Sequence, residues 1–141
     1  MINEALLLSV RPCYAKKILA GEKTAELRRT RPRVGLGDWV LVYASSPCKA
    51  LVGAFEVRGV LSASPAKLWR LVGQQAAIRK KDFDEYYVGA AAAYAILIKS
   101  TISFLPHIPL EDLRRRLPQF TPPQAYRYLD AEESRLLCEA C

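Results

Sequence analysis

The chain has 141 residues and a formal net charge of +7, enough for one domain with a real core and too little for two. Hydrophobic residues make up 51% and charged residues 25%, proportions that exclude a disordered segment. No apolar run approaches the roughly 18 residues that cross a bilayer.

The opening Met1-Ile2-Asn3-Glu4 carries no basic stretch, and no apolar segment of signal length follows. A cytoplasmic protein that meets no membrane is therefore expected. It reads as a single domain over 1–141, with its core in about 5–129 and a helical tail over 130–141. The charge is unevenly spread. Residues 1–35 hold Arg11, Lys16, Lys17, Lys23, Arg28, Arg29, Arg31 and Arg33 against Glu4, Glu22 and Glu26, a net of +5. The other 106 residues carry only +2. A clustered cationic field attracts phosphate and steers polyanions, so a nucleic-acid partner is expected at this end.

In chain order, Leu6-Leu7-Leu8-Ser9-Val10 reads as a buried strand. Pro12 suits a first helical turn, Tyr14, Ile18 and Leu19 follow at helical spacing, and Gly21 closes the helix. Thr24-Ala25-Glu26-Leu27-Arg28 alternates with period two, which predicts a strand with one wet face. The Pro- and Gly-containing stretch 31–38 is a loop. Strands are expected over Trp39–Tyr43 and Ala50–Val60, with a turn at Ser45-Ser46-Pro47-Cys48 between them. Ser64 and Pro65 start a helix as N-cap and first helical residue. A second helical segment spans Lys80–Tyr87 and stops at Gly89. A strand over Tyr94–Phe104, a short helix over Leu110–Arg116 and another after Asp130 complete the pattern. The fold class is α+β with a mixed or mainly antiparallel sheet, because the elements do not alternate as in a Rossmann fold.

Several chemistries are struck off. The one histidine, His107, lies between Pro106 and Pro109 and reads as a surface loop residue. There is no phosphate-binding glycine loop; Gly35-x-Gly37 precedes a strand and reads as a turn. Cys138-x-x-Cys141 has half of a zinc spacing, but Cys13 and Cys48 form no second close pair. No metal and no cofactor are expected.

The informative segment is Lys23-Thr24-Ala25-Glu26-Leu27-Arg28. On a strand, Glu26 and Arg28 share a face with Cα atoms roughly 7 Å apart, and Lys23 enters at its edge. Glu26 is suited to accept from an exocyclic amine, while Lys23, Arg11 and Arg28 are suited to hold phosphate or an oxyanion. The bland alternative is an exposed Glu–Arg pair worth well under ~1 kcal/mol. Arg29, Arg31 and Arg33, with Lys49 on the next loop, are expected to extend a phosphate track. Arg114-Arg115-Arg116 ends a helix, where cations suit the dipole. Trp39, Trp69, Tyr86 and Tyr87 read as core, and Tyr43, Tyr126 and Tyr128 as candidates for base stacking.

Ser9-Val10-Arg11-Pro12-x-Tyr14-x-x-x-Ile18-x-x-Gly21-x-Lys23-x-x-Glu26-x-Arg28 resembles the opening motif of ASCH domains, relatives of the PUA RNA-binding fold. The segments 43–47, 52–57, 94–96 and Pro122-Pro123-Gln124-Ala125-Tyr126 are similar to the family's later segments, in order. The resemblance implies a PUA-like β-barrel with flanking helices and a cleft beside the Lys-x-x-Glu-x-Arg strand. It implies RNA, nucleotide or nucleoside as the ligand, with Glu26 and Gln124 reading a base edge and Tyr126 beside them. Two catalytic alternatives come with it. Some members resemble amidohydrolases that deacylate N4-acetylcytidine through a lysine, a threonine and a glutamate; others act as ribonucleases. Lys23 matches the lysine, Glu26 stands at the threonine position with Thr24 two residues earlier, and the glutamate region falls on Gln74-Gln75. If the chain is an enzyme, Lys23 and Glu26 are the expected catalytic pair.

Overall fold

A computed structural model describes residues 5–138. Six strands form one curled mixed sheet, a half-barrel, with five helices around it. Next to one edge lies β1 (Ala5–Val10), paired in parallel with β3 (Trp39–Ala44) and antiparallel with the edge strand β6 (Tyr126–Leu129). A parallel neighbour requires a crossover. Here it is supplied by α1 (Pro12–Leu19) and β2 (Ala25–Arg28). The remaining strands are β4 (Ala50–Ala63) and β5 (Ala93–Pro109), giving the order β2-β5-β4-β3-β1-β6. Helices α2 (Pro65–Val72), α3 (Lys80–Tyr86), α4 (Leu110–Arg116) and α5 (Ala131–Cys138) cover the faces.

Both faces of the sheet are covered, which explains the unbroken apolar run in β1. Leu6, Leu8 and Val10 pack with Val40, Val42, Phe55 and the α1 residue Ile18. Leu7 points the other way, into a cluster with Leu41, Tyr43, Phe104, Leu113 and Leu137. A third cluster joins Ala25 and Leu27 of β2 to Leu68 and Val72 of α2 and Phe83 of α3. The curl comes from β4 and β5, whose register shifts three times between Leu51 and Gly59, as β-bulges bend a ladder. At Gly53 a Cβ would stand 2.3 Å from the Ile102 carbonyl oxygen and 2.7 Å from Leu19 Cδ2, so only glycine lets α1 and β5 close on β4 here.

Local chemistry sets the helix ends that matter for the site. Pro12 opens α1, and Gly21 at φ +79° turns the chain toward β2. Ser64 Oγ accepts from the Lys67 N–H at 3.3 Å and caps α2. Three expectations need correction. The strand expected to stop at Phe104 runs on to Pro109, so exposed His107 lies in β5 rather than a loop. The four-residue β6 was not anticipated, because Pro122 and Pro123 masked so short an edge strand. No face of β2 is wet: all four of its residues are buried. No helix among the described residues is long and apolar enough to cross a membrane. Cys13 and Cys48 are free and exposed, and Cys141 lies outside the described residues.

Candidate functional site

The site begins with charge placed where charge is costly. Lys23, Glu26 and Arg28 are 2%, 6% and 8% exposed. Arg28 Nη2 donates to Glu26 Oε2 at 2.6 Å, and Lys23 Nζ stands 3.9 Å from Glu26 Oε1. One carboxylate thus serves two buried cations, an arrangement that survives burial only with each charge compensated. Lys23 Nζ also donates to the Ala76 carbonyl and lies 5.0 Å from the centre of the Tyr14 ring. Burial pushes the Lys23 amine below its ordinary value, and the Glu26 carboxylate partly offsets that.

The cover over β2 comes from distant sequence. Tyr87 Oη donates to the carbonyls of Arg28 and Tyr94, each at 3.2 Å, and Tyr86 Oη reaches the Leu27 carbonyl at 3.4 Å. Burial raises the phenol of Tyr87 strongly, and it also raises those of Tyr86 and Tyr14. Above this floor opens a hollow of about 540 Å3, lined by Ser9, Arg11, Tyr14, Glu26, Arg28, Arg79 and the α3 residues Asp82, Glu85 and Tyr86. Two enclosed polar atoms of its lining, Arg28 Nε and Ser9 Oγ, have no hydrogen-bond partner. Each unmet group costs about 1–3 kcal/mol. Arg11, Arg28 and Arg79 face three carboxylates here, so the hollow is balanced in charge and not simply basic.

The arginines beyond β2 divide. Arg29 Nη1 donates to the carbonyls of Tyr86 and Val88 at 2.6 and 3.0 Å, tying the loop to the end of α3. Arg31 and Arg33 are exposed. The Arg33 N–H donates to Tyr128 Oη at 2.6 Å, and its guanidinium stacks 4.3 Å over the Tyr128 ring. Tyr126 Oη lies 3.3 Å from Thr30 Oγ1. The unanticipated β6 therefore pins this loop to the sheet.

The structure brings Arg11, Glu26 and Arg28 together at one hollow and sets Lys23 behind it. Lys49 and Gln124 are exposed and line neither this hollow nor the larger one beside it. Gln124 is nonetheless close in chain to the hollow, because the Ser9 N–H donates to the Ala125 carbonyl at 2.9 Å. Tyr43, a stacking candidate, is 2% exposed and belongs to the core, whereas Tyr86, read as core, is 38% exposed and lines the hollow. Arg79, Asp82 and Glu85 were not singled out; a polar face on a short helix carries no mark of what it will face. Gln75 receives the Thr24 and Ala25 N–H groups on its carbonyl, and no carboxylate stands at positions 74 and 75.

The curled half-barrel with its five flanking helices is the fold of an ASCH-type domain. The ASCH domain model matches residues 8–101, and the chain belongs to that family. It is 30% identical over 131 residues, 93% of this chain and 88% of its counterpart, to an ASCH domain-containing ribonuclease of Zymomonas mobilis. The crystal structure of ASCH from Zymomonas mobilis superposes with a TM-score of 0.90 at 28% identity, covering 96% of this chain and 94% of that one. The chain is also 31% identical over 103 residues to the large ribosomal subunit protein uL22 of Ureaplasma parvum. That match spans 72% of this chain and 33% of the ribosomal protein.

Proposed function

We propose that this chain binds single-stranded RNA, with one base entering the hollow beside β2. The observation that carries this reading is the hollow's lining, which sets the Glu26 carboxylate, the Arg28 guanidinium and the Ser9 hydroxyl around one space, with Arg28 Nε and Ser9 Oγ unpartnered. A nucleobase edge offers donors and acceptors side by side, and an acceptor, a cationic donor and a hydroxyl at one floor match that pattern. The hollow's balanced charge suits a neutral base. Arg11, Arg31 and Arg33 would meet the phosphates outside, and Tyr14 and Tyr86 would flank the base. Titration of fluorescent single-stranded RNA across a salt series tests the reading. Affinity is expected to fall steeply with salt, and Glu26→Gln and Ser9→Ala are each expected to weaken binding about ten-fold or more. Salt-independent binding, or binding indifferent to both substitutions, overturns it.

A second reading adds RNA cleavage, and the named ribonuclease relative, matched over nearly the whole length of both chains, supports it. Incubating the chain with end-labelled single-stranded RNA, with and without divalent metal, distinguishes the two. Shortened RNA that disappears with Glu26→Gln supports the enzyme; retained RNA bound intact supports the binding module.

A further inference from the structure

The hollow beside β2 has a neighbour. A second hollow of about 1020 Å3 is lined by Lys17, Trp69, Arg70, Gln74 and Gln75 among others. Tyr14, Ile78, Arg79 and Asp82 line both hollows. These four residues are a ridge between two compartments, each of a size that accepts a small organic ligand.

The ridge and the far wall are held in place from beneath. Ala77 has φ +51°, a left-handed conformation that costs a non-glycine residue about 1 kcal/mol or more. The segment is fixed there by three tethers: Lys23 Nζ to the Ala76 carbonyl, Lys17 Nζ to the Ala77 carbonyl at 3.4 Å, and the Thr24 and Ala25 N–H groups to the Gln75 carbonyl. Buried Lys23 is thus a positioning residue that moors the wall of the second hollow to the strand flooring the first.

On the crest, Arg79 precedes the first residue of α3 and its side chain is 79% exposed. Its Nε and Nη2 donate to Asp82 at 3.0 and 3.4 Å. That pairing fixes the guanidinium against Asp82, a second residue shared by both hollows, and engages two of its three nitrogens. An arginine so placed is suited to a phosphate that crosses from one compartment to the other.

We propose that the two hollows are adjacent nucleotide subsites and that Arg79 holds the phosphodiester linking their occupants. The recognised unit is then a dinucleotide step of single-stranded RNA. One base sits over Glu26 and Arg28; the next sits against Gln74 and Gln75, whose amides carry both donors and acceptors for a base edge. Lys17 and Arg70 supply charge for the following phosphate. This inference rests on the reading of the first hollow as a base site.

Calorimetric titration of 5′-phosphorylated uridylates and adenylates, one to six nucleotides long, tests it. Affinity is expected to rise about ten-fold or more from one nucleotide to two, as a second stacked and hydrogen-bonded base adds its contribution, and by much less per nucleotide thereafter. Arg79→Ala is expected to bring the ratio of dinucleotide to mononucleotide affinity close to one. Arg70→Ala is expected to cut the ratio several-fold. Asp82→Asn frees the guanidinium and is expected to raise the ratio. Mononucleotide binding with no gain at the second nucleotide, or a gain that survives Arg79→Ala, overturns this inference and leaves the base site standing. Absence of all binding overturns both.

Discussion

Two stretches of cationic chain, adjacent in sequence, have opposite physical lives. Lys23 and Arg28 are shut into the protein around the Glu26 carboxylate, whereas Arg31 and Arg33 stand in solvent on a loop pinned by β6. Buried charges lose hydration and are kept only by partners in fixed geometry. Exposed charges lose little and give little, except to a polyanion that releases its counterions on binding. The first group therefore shapes a site and the second supplies attraction to it. Net charge, which counts both alike, conceals the division.

The largest test of this contrast is Glu26→Ala. It leaves two buried cations without a counter-charge, and a loss of about 3–5 kcal/mol in unfolding free energy is expected from urea denaturation at pH 7. A loss below ~1 kcal/mol would mean that the triad is hydrated in solution, and the contrast would fail.

Alkaline pH probes the same triad through Lys23. Burial lowers its amine below the ordinary value of 10.5, so the folded chain releases this proton at lower pH than the unfolded chain does. Between the folded value and 10.5 the unfolded state holds more protons, and stability rises with pH at no more than ~1.4 kcal/mol per unit. Tyr14, Tyr43, Tyr86 and Tyr87, all raised by burial, act in the opposite sense above their ordinary value of 10.0. Lys23→Met is expected to remove the rise while the tyrosine-driven fall remains. Denaturation curves of both chains from pH 7 to 11, subtracted, isolate it; a flat difference would show that Lys23 is not desolvated.

What could be read beforehand follows the same line between local and distant causes. The ends of α1 were legible because Pro12 and Gly21 act within one helical turn, and α4 because its acidic start and arginine end complement a helix dipole. The Lys23, Glu26 and Arg28 grouping was legible from strand period. Its burial was not, because the cover is Tyr86 and Tyr87, about 59 residues downstream on the far side of α2. The strand pattern of β2 reports alternation, and alternation suggests one wet face until something remote covers it. Tyr43 was misread for the same reason: Phe120, its ring partner at 6.3 Å, comes from the proline-punctuated segment beyond α4. The hollow's second wall, Arg79, Asp82 and Glu85, had only a salt-bridge spacing to show, and that spacing is common on solvated helices.

Arg29 lies between the two groups and grades the contrast. It is exposed, yet its guanidinium binds the carbonyls at the end of α3, where a cation also suits the helix dipole. Arg29→Ala is expected to cost about 1 kcal/mol, between buried and free charge. The same denaturation assay reads it, and the loosened end of α3 is expected to weaken RNA binding through Tyr86.

Arg31→Ala gives the smallest expected change in stability, within about 0.5 kcal/mol, because this exposed side chain makes no hydrogen bond or ion pair among the described residues. Its effect belongs to the ligand. A cation that meets one phosphate of a single strand contributes about 0.7 to the slope of log affinity against log salt. Losing it should shallow that slope by this amount and weaken all RNA sequences alike. Glu26→Gln should do the reverse, lowering affinity with the slope unchanged, because a carboxylate that reads a base releases no counterions. Measured side by side over a salt series, the two variants separate attraction from selectivity. If Arg31→Ala leaves the slope intact, the phosphate path does not run along this loop, and Arg11 and the Arg79 ridge are left to carry it.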